Sequence, residues 1–203
     1  MTEDQRRYAP ATVRNREPIL AVLQRHLPSQ GLVLEIASGT GEHITFFAQS
    51  LGPGLVFQPT DPDPAARAST DAWMAALGVT NVRPAIELDA TSGDWPVTAA
   101  DAVLAINMVH ISPWAATEGL VRGAARVLPT GGVLYLYGPY RREGGHTAPS
   151  NEAFDSDLRS RNPEWGVRDV EAVTELARAS GFDTPIIEQM PANNLSLVFR
   201  RLP

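Results

Sequence analysis

The sequence predicts an α/β fold in which a mostly parallel sheet carries helices on both faces. Short apolar runs bounded by turn residues alternate with segments of helical periodicity, the pattern of strands joined by helical crossovers. The 203 residues amount to about one ordinary domain, and 43% hydrophobic against 20% charged residues supplies a core without a covalent staple. Residues 1–203 are therefore read as a single domain.

Pro18 opens the first helical pattern, with Ile19, Val22, Leu23 and Leu27 on one face, and Pro28-Ser29-Gln30-Gly31 ends it. Leu32 to Ala37 reads as a buried strand and Ser38-Gly39-Thr40-Gly41 as a turn. A helix with Ile44, Phe47, Ala48 and Leu51 on its apolar face follows. Leu55-Val56-Phe57 begins a second strand that ends near Asp61. Asp63 and Pro64 are the cap and first-turn residue of a helix expected to bury Trp73, Ala76 and Leu77 and to stop at Gly78. Val82 to Leu88 is a weaker third strand, Asp101 to Ile106 a fourth and Val133 to Tyr137 a fifth, the last two joined by a helix around residues 119–128.

Residues 140–168 break this rhythm. Gly144-Gly145, Pro149, Pro163 and Gly166 mark a stretch too long and too polar for an ordinary connection. Together with the N-terminal segment 1–30 it is expected to form a lid over the site. Val170, Val173 and Ala177 then define a helix ending at Gly181. Residues 185–189 and 195–199, separated by a short turn, read as an antiparallel pair at the sheet edge.

Composition narrows the chemistry. Cysteine is absent, which excludes disulfides and thiolate metal sites, and every one of the 17 basic residues is arginine, which excludes Schiff-base lysine chemistry and a P-loop. A net charge of −6 disfavours nucleic acid as a partner. The four histidines have no paired ligand spacing, so no metal is expected. No apolar run suits a membrane span or a signal peptide, and a cytoplasmic protein is expected.

Ligands of open α/β sheets bind at the carboxyl ends of the strands. Three of those ends present an acid, Glu35, Asp61 and Asp89, and none presents a cation. A dinucleotide site would need a third glycine where Ile44 stands, and Glu42 at the helix start would repel a phosphate. The pattern suits a ligand with hydroxyls, an amino group and positive charge, such as S-adenosylmethionine. Asp61, with Pro62 beside it, is placed to accept from the ribose hydroxyls and Asp89, with Ala90, from the adenine amino group. Ala37, Ser38, Gly39 and Gly41 form the backbone approach to the methionine moiety. Each feature has a plainer reading as a turn, a cap or a loop acid; their ordered placement at successive strand ends favours the joint one.

The residues also carry a resemblance. Leu34-Glu35-Ile36-Ala37-Ser38-Gly39-Thr40-Gly41-Glu42-His43, Gln58-Pro59-Thr60-Asp61, Ile106-Asn107-Met108-Val109-His110-Ile111-Ser112-Pro113-Trp114 and His146-Thr147-Ala148-Pro149-Ser150-Asn151 are its longer motifs, with Tyr8-Ala9-Pro10-Ala11-Thr12 near the start. The chain resembles class I S-adenosylmethionine-dependent methyltransferases, and more narrowly the domain-of-unknown-function family 938, which includes methyltransferase-like protein 26. The resemblance implies a Rossmann-like sheet of seven strands with the last one antiparallel, and S-adenosylmethionine as cofactor. Ala37 departs from the superfamily turn, which has glycine there.

Methyl transfer requires alignment of nucleophile and methyl, and a base only where the nucleophile must lose a proton. His110, just past the fourth strand, is the candidate base; its plainer reading is a loop histidine bonded to backbone. Asn107 is expected to position cofactor or acceptor, and Tyr140 to act with them. Arg14, Tyr137, Tyr140, His146 and Asn151 are the candidate acceptor contacts. A covered pocket points to a small-molecule acceptor. A cofactor-binding protein that transfers no methyl group is the alternative.

Overall fold

The computed structural model describes residues 4–203; the first three positions of the expected N-terminal lid lie outside them. The elements run α1 (Pro10–His26), β1 (Gly31–Ile36), α2 (Glu42–Ser50), β2 (Leu55–Thr60), α3 (Pro64–Leu77), β3 (Ala102–Ile106), α4 (Trp114–Val127), β4 (Val133–Arg142), β5 (Gly145–His146), α5 (Pro149–Arg161), β6 (Arg168–Asp169), α6 (Val170–Ala179), β7 (Ile186–Met190) and β8 (Asn194–Arg200). The main sheet has the order β2-β1-β3-β4-β8-β7. β2, β1, β3 and β4 pair in parallel, and β8 pairs antiparallel with both β4 and β7. This is the α/β Rossmann-like methyltransferase fold the sequence predicts, with β8 inserted between β4 and the edge strand β7, but its main path has six strands where the resemblance implies seven, because the expected third strand is not formed.

Alternate residues of the strands enter two cores. Val33, Leu104, Ile106, Tyr135 and Tyr137 pack against Ile19 and Leu23 of α1 and Ile44 and Phe47 of α2. Leu34, Val103, Ala105 and Leu136 pack against Leu120 and Ala124 of α4 and Val173 and Ala177 of α6.

Three elements differ from expectation. The first helix starts at Pro10 and carries Pro18 inside it. Proline there removes the donor that would meet the Arg14 carbonyl, on a stretch of the helix where Val13 and Arg14 are exposed. The third strand is reduced to two isolated bridges, Phe57 with Val82 and Thr60 with Ile86. Pro59 and Pro84 each lack an N–H at the gap, and the Gln58 side-chain amide donates to the Pro84 carbonyl instead, at 2.9 Å. The buried face of α3 is Ala66, Ser69 and Thr70. Trp73 is only half-buried, and Ala76 and Leu77 are exposed. Trp73 serves the N-terminal segment: its Nε1–H donates to the Arg7 carbonyl at 2.9 Å, and its ring meets Tyr8 edge-on.

Residues 140–168 are an ordered unit. β4 runs on past the sheet to pair with β5 and β6, and α5 lies between them.

Candidate functional site

After β1 the chain goes to β2 on one side, and later to β3 on the other, so the switch in strand order lies between β1 and β3. A cavity of about 610 Å³ opens there. Ala37 and Asn107, the first residues past β1 and β3, both line it and both hold left-handed backbone, with φ of 58° and 57°. For Ala37 this is the conformation glycine adopts freely, and left-handed geometry costs an L-residue about 1–2 kcal/mol.

Asp61 ties the turn to β2. One oxygen accepts the Gly39 N–H at 3.0 Å and the other the Asp63 N–H at 2.9 Å. The residue is only 8% exposed yet lines the cavity. Two carboxylate oxygens have about four lone-pair sites, so capacity toward a ligand remains. Ser38 braces the same junction, its N–H donating to the Thr60 carbonyl at 2.9 Å and its hydroxyl accepting from the Thr60 N–H at 3.1 Å.

The two turn glycines do different work. A Cβ on Gly39 would meet nothing within 4 Å, so the backbone there is open. On Gly41 it would stand 2.5 Å from the Thr70 backbone, and Gly41 does not line the cavity. Gly41 lets α2 pack on α3. Glu35 sits beneath the turn, fully enclosed and outside the lining, with one carboxylate oxygen lacking a partner. Burial pushes its carboxyl up to about 8, against the pull of Ser38 and with a smaller push from Asp61. It is therefore mostly protonated at neutral pH.

Pro62, Asp89 and Ala90 also line the cavity. Asp89 is exposed and closes an Asx turn, accepting from the Thr91 N–H and hydroxyl at 2.8 Å each. Ala9, Ala11 and Thr12 form the near rim. Glu42 holds that rim: its carboxylate accepts the Ala9 N–H at 2.6 Å and the Thr40 hydroxyl at 3.0 Å. His43, half-buried, also lines the cavity. Met108, Ile111, Ser112, Pro113 and Trp165 complete the mouth, and no arginine is among the lining residues.

The remaining candidates lie elsewhere. The His110 ring is not part of the lining. It lies over β4, where a Cβ on Gly138 would come within 3.0 Å of its Nδ1, and meets Phe154 of α5 edge-on. Burial, and secondarily Arg168, push His110 down to about 4. Tyr140 is enclosed in the core with its hydroxyl unpartnered, and burial alone raises that hydroxyl above the ordinary phenol range. Tyr137 is also core, and Asn194 donates to its hydroxyl at 3.1 Å. His146 faces Asp155 at 3.6 Å, and the Asn151 amide donates to the Thr147 hydroxyl at 3.0 Å and the Asn193 carbonyl at 2.9 Å. Arg14 is exposed on α1. None of these lines the cavity. Among the described residues no cluster of three or more metal-ligating side chains occurs, and no helix is long and apolar enough to cross a membrane.

Sequence reasoning passed over His43, Thr12, Met108, Ile111 and Trp165. His43 adjoins the glycine turn, and Met108 and Ile111 lie in the segment after β3, without a chemical type that stood out; Thr12 of α1 and Trp165 beyond α5 had no such signal and reach the cavity only through the tertiary fold.

The fold places the chain among solved structures at low identity. It is similar to an O-methyltransferase family protein from Burkholderia thailandensis, with TM-score 0.80 and 18% identity over 95% of this chain and 57% of that one. It is also similar to PigF, solved with SAH, with TM-score 0.75 and 20% identity over 91% of this chain and 55% of that one. The [4+2]-cyclase SpnF has the same fold, with TM-score 0.71 and 15% identity over 92% of this chain and 80% of that one. The chain thus spans little more than half the length of the first two. A family model described as "Protein of unknown function (DUF938)" matches residues 6–201, so the chain belongs to that family.

Proposed function

We propose that this chain is an S-adenosylmethionine-dependent methyltransferase of the methyltransferase-like protein 26 group that acts on a small-molecule acceptor. The observation that carries the reading is the buried Asp61 carboxylate at the tip of β2. It faces a cavity whose floor, at Gly39, has no side chain and no competing contact. The residues fit the cofactor. Asp61 would hold the ribose hydroxyls, Asp89 and Ala90 the adenine, and the Ser38–Gly39 backbone the methionine end. A phosphate-bearing ligand fits poorly, because no arginine lines the cavity and Glu42 occupies the start of α2.

When bound, the sulfonium supplies an activated methyl group. The protein's part is to hold acceptor and cofactor in line and keep water out. Asn107 and Met108, past β3, and the apolar rim of Ile111 and Trp165 are the groups available for that task. His110 and Tyr140 we assign to seating residues 140–168 on β4 rather than to proton transfer. That unit, with Ala9–Thr12, forms the lid in this reading. The rim suits an acceptor with an apolar body.

Two observations keep the non-methylating reading: the one histidine among the described residues that lines the cavity is held well below its ordinary value by burial, and a [4+2]-cyclase, SpnF, has a similar fold. The experiment is S-adenosylhomocysteine formation from S-adenosylmethionine in fractionated small-metabolite extract, with Asp61→Ala as control. Turnover in at least one fraction, lost in the variant, is expected. Cofactor binding with no turnover in any fraction would favour the alternative.

A further inference from the structure

His43 is the one histidine among the described residues that lines the cavity, and its surroundings are built. Its Nε2 lies 2.7 Å from Oδ1 of Asn15, a residue of α1 only 7% exposed. Its ring stacks on Phe47, with centroids 5.7 Å apart and planes 24° from parallel. Asn194 donates to the Tyr137 hydroxyl at 3.1 Å, and Asn15 and Asn194 both oppose the rise that burial causes in it. A buried amide oxygen accepting from Nε2–H fixes one tautomer and leaves Nδ1 with a free lone pair. Burial first, and Arg16 second, push His43 down to about 4, so the ring is neutral at pH 7.

Asp61, Asp89 and His43 all line the cavity; His43 follows the glycine turn and is bonded to Asn15 of α1, whose first turn supplies Ala11 and Thr12 to the same lining. Resting on the cofactor reading above, we propose that His43, oriented by Asn15, accepts a hydrogen bond from the α-ammonium of the cofactor's amino-acid end through Nδ1. A hydrogen bond to a charged group, once lost, weakens binding roughly tenfold or more. The pair is thus a specificity device: it selects a nucleoside that carries an amino-acid tail over one that does not.

The test is calorimetric titration of two probes, S-adenosylhomocysteine, which has the ammonium, and 5′-methylthioadenosine, which lacks it. His43→Ala is expected to weaken the first roughly tenfold and the second less than about twofold. His43→Gln, which restores an acceptor, is expected to recover part of the loss. Asn15→Leu is expected to weaken the first probe severalfold and spare the second. Retained 5′-methylthioadenosine binding also shows that each variant is folded. Equal losses for both probes, or no loss for either, would overturn the assignment. If the unaltered protein binds neither probe, the cofactor reading itself fails and takes this inference with it.

Discussion

The turn at the tips of β1 and β2 and the unit formed by residues 140–168 are both rich in polar groups beside the same cavity, and they use them differently. At the turn, Asp61 accepts two backbone N–H groups and still faces open space. In residues 140–168 most polar groups bond one another or the neighbouring loop, and the unpartnered Tyr140 hydroxyl is enclosed in the core, away from the cavity. Asp155 accepts the Val167 N–H at 2.7 Å and Arg159 Nε at 3.1 Å, and Arg168 donates to the Ser112 carbonyl at 2.9 Å. The Gly166 N–H donates to the His110 carbonyl at 3.0 Å. Chemical type near a cavity therefore does not make a ligand contact; what counts is whether hydrogen-bonding capacity is left over once the local structure is built.

That contrast can be broken by substitution. The largest expected effect is Gly41→Ala. Its Cβ meets the Thr70 backbone at 2.5 Å in a left-handed conformation, so a loss of about 3 kcal/mol in urea unfolding is expected. Gly39→Ala, with open space around its Cβ, is expected to cost about 1 kcal/mol but to weaken S-adenosylhomocysteine binding by its bulk in the cavity. A reversal of that order would mean that Gly41, not Gly39, faces the ligand.

Asp155→Ala comes next. It leaves the Val167 N–H and Arg159 without their acceptor and should cost about 2 kcal/mol of stability. Affinity for S-adenosylhomocysteine should stay within about twofold, whereas Asp61→Ala should abolish measurable binding. Equal effects on affinity would merge the two regions into one site.

Stability should also depend on pH in a defined way. His43 and His110, held at about 4, take up protons more readily once unfolded, so their contribution is full above the ordinary value of 6.5 and is lost as pH falls toward 4. Glu35 acts oppositely: raised from 4.5 to about 8, it contributes fully below 4.5 and its contribution is lost as pH rises through 8. Chemical denaturation across this range should give a maximum near neutrality. Glu35→Gln should remove the decline on the alkaline side; a variant that still declines there would place the cause elsewhere. The smallest expected effect is Ala37→Gly. Relief of left-handed strain is offset by greater freedom of the unfolded chain, for a net gain below about 1 kcal/mol with ligand affinity unchanged.

The turn half of the site was legible because its determinants are local. Glycines between a strand and a helix, and an acid at the end of the next strand, show in one dimension, and Asp61 bonds Gly39 only 22 positions away. The helix cap at Asp63 was legible for the same reason, its carboxylate accepting the Ala65 N–H at 2.9 Å. His110 was not, because the position of its ring depends on Gly138 and Phe154, which come from two later elements. Pro18 misplaced the start of α1 because whether a proline ends a helix or sits inside it depends on which carbonyl loses its partner, and on whether water reaches it. The third strand failed at Pro59 and Pro84, two prolines that look harmless singly and matter only because β2 sets them side by side.

The central claim is that the cavity at the strand tips holds an adenosyl sulfonium cofactor. Thermal unfolding of the unaltered protein with and without S-adenosylhomocysteine tests it most directly. A ligand at 100 times its dissociation constant adds about 2.7 kcal/mol, which for a chain of this length should raise the midpoint by about 5–10 degrees, with no rise in Asp61→Ala. An unchanged midpoint at millimolar ligand would contradict it.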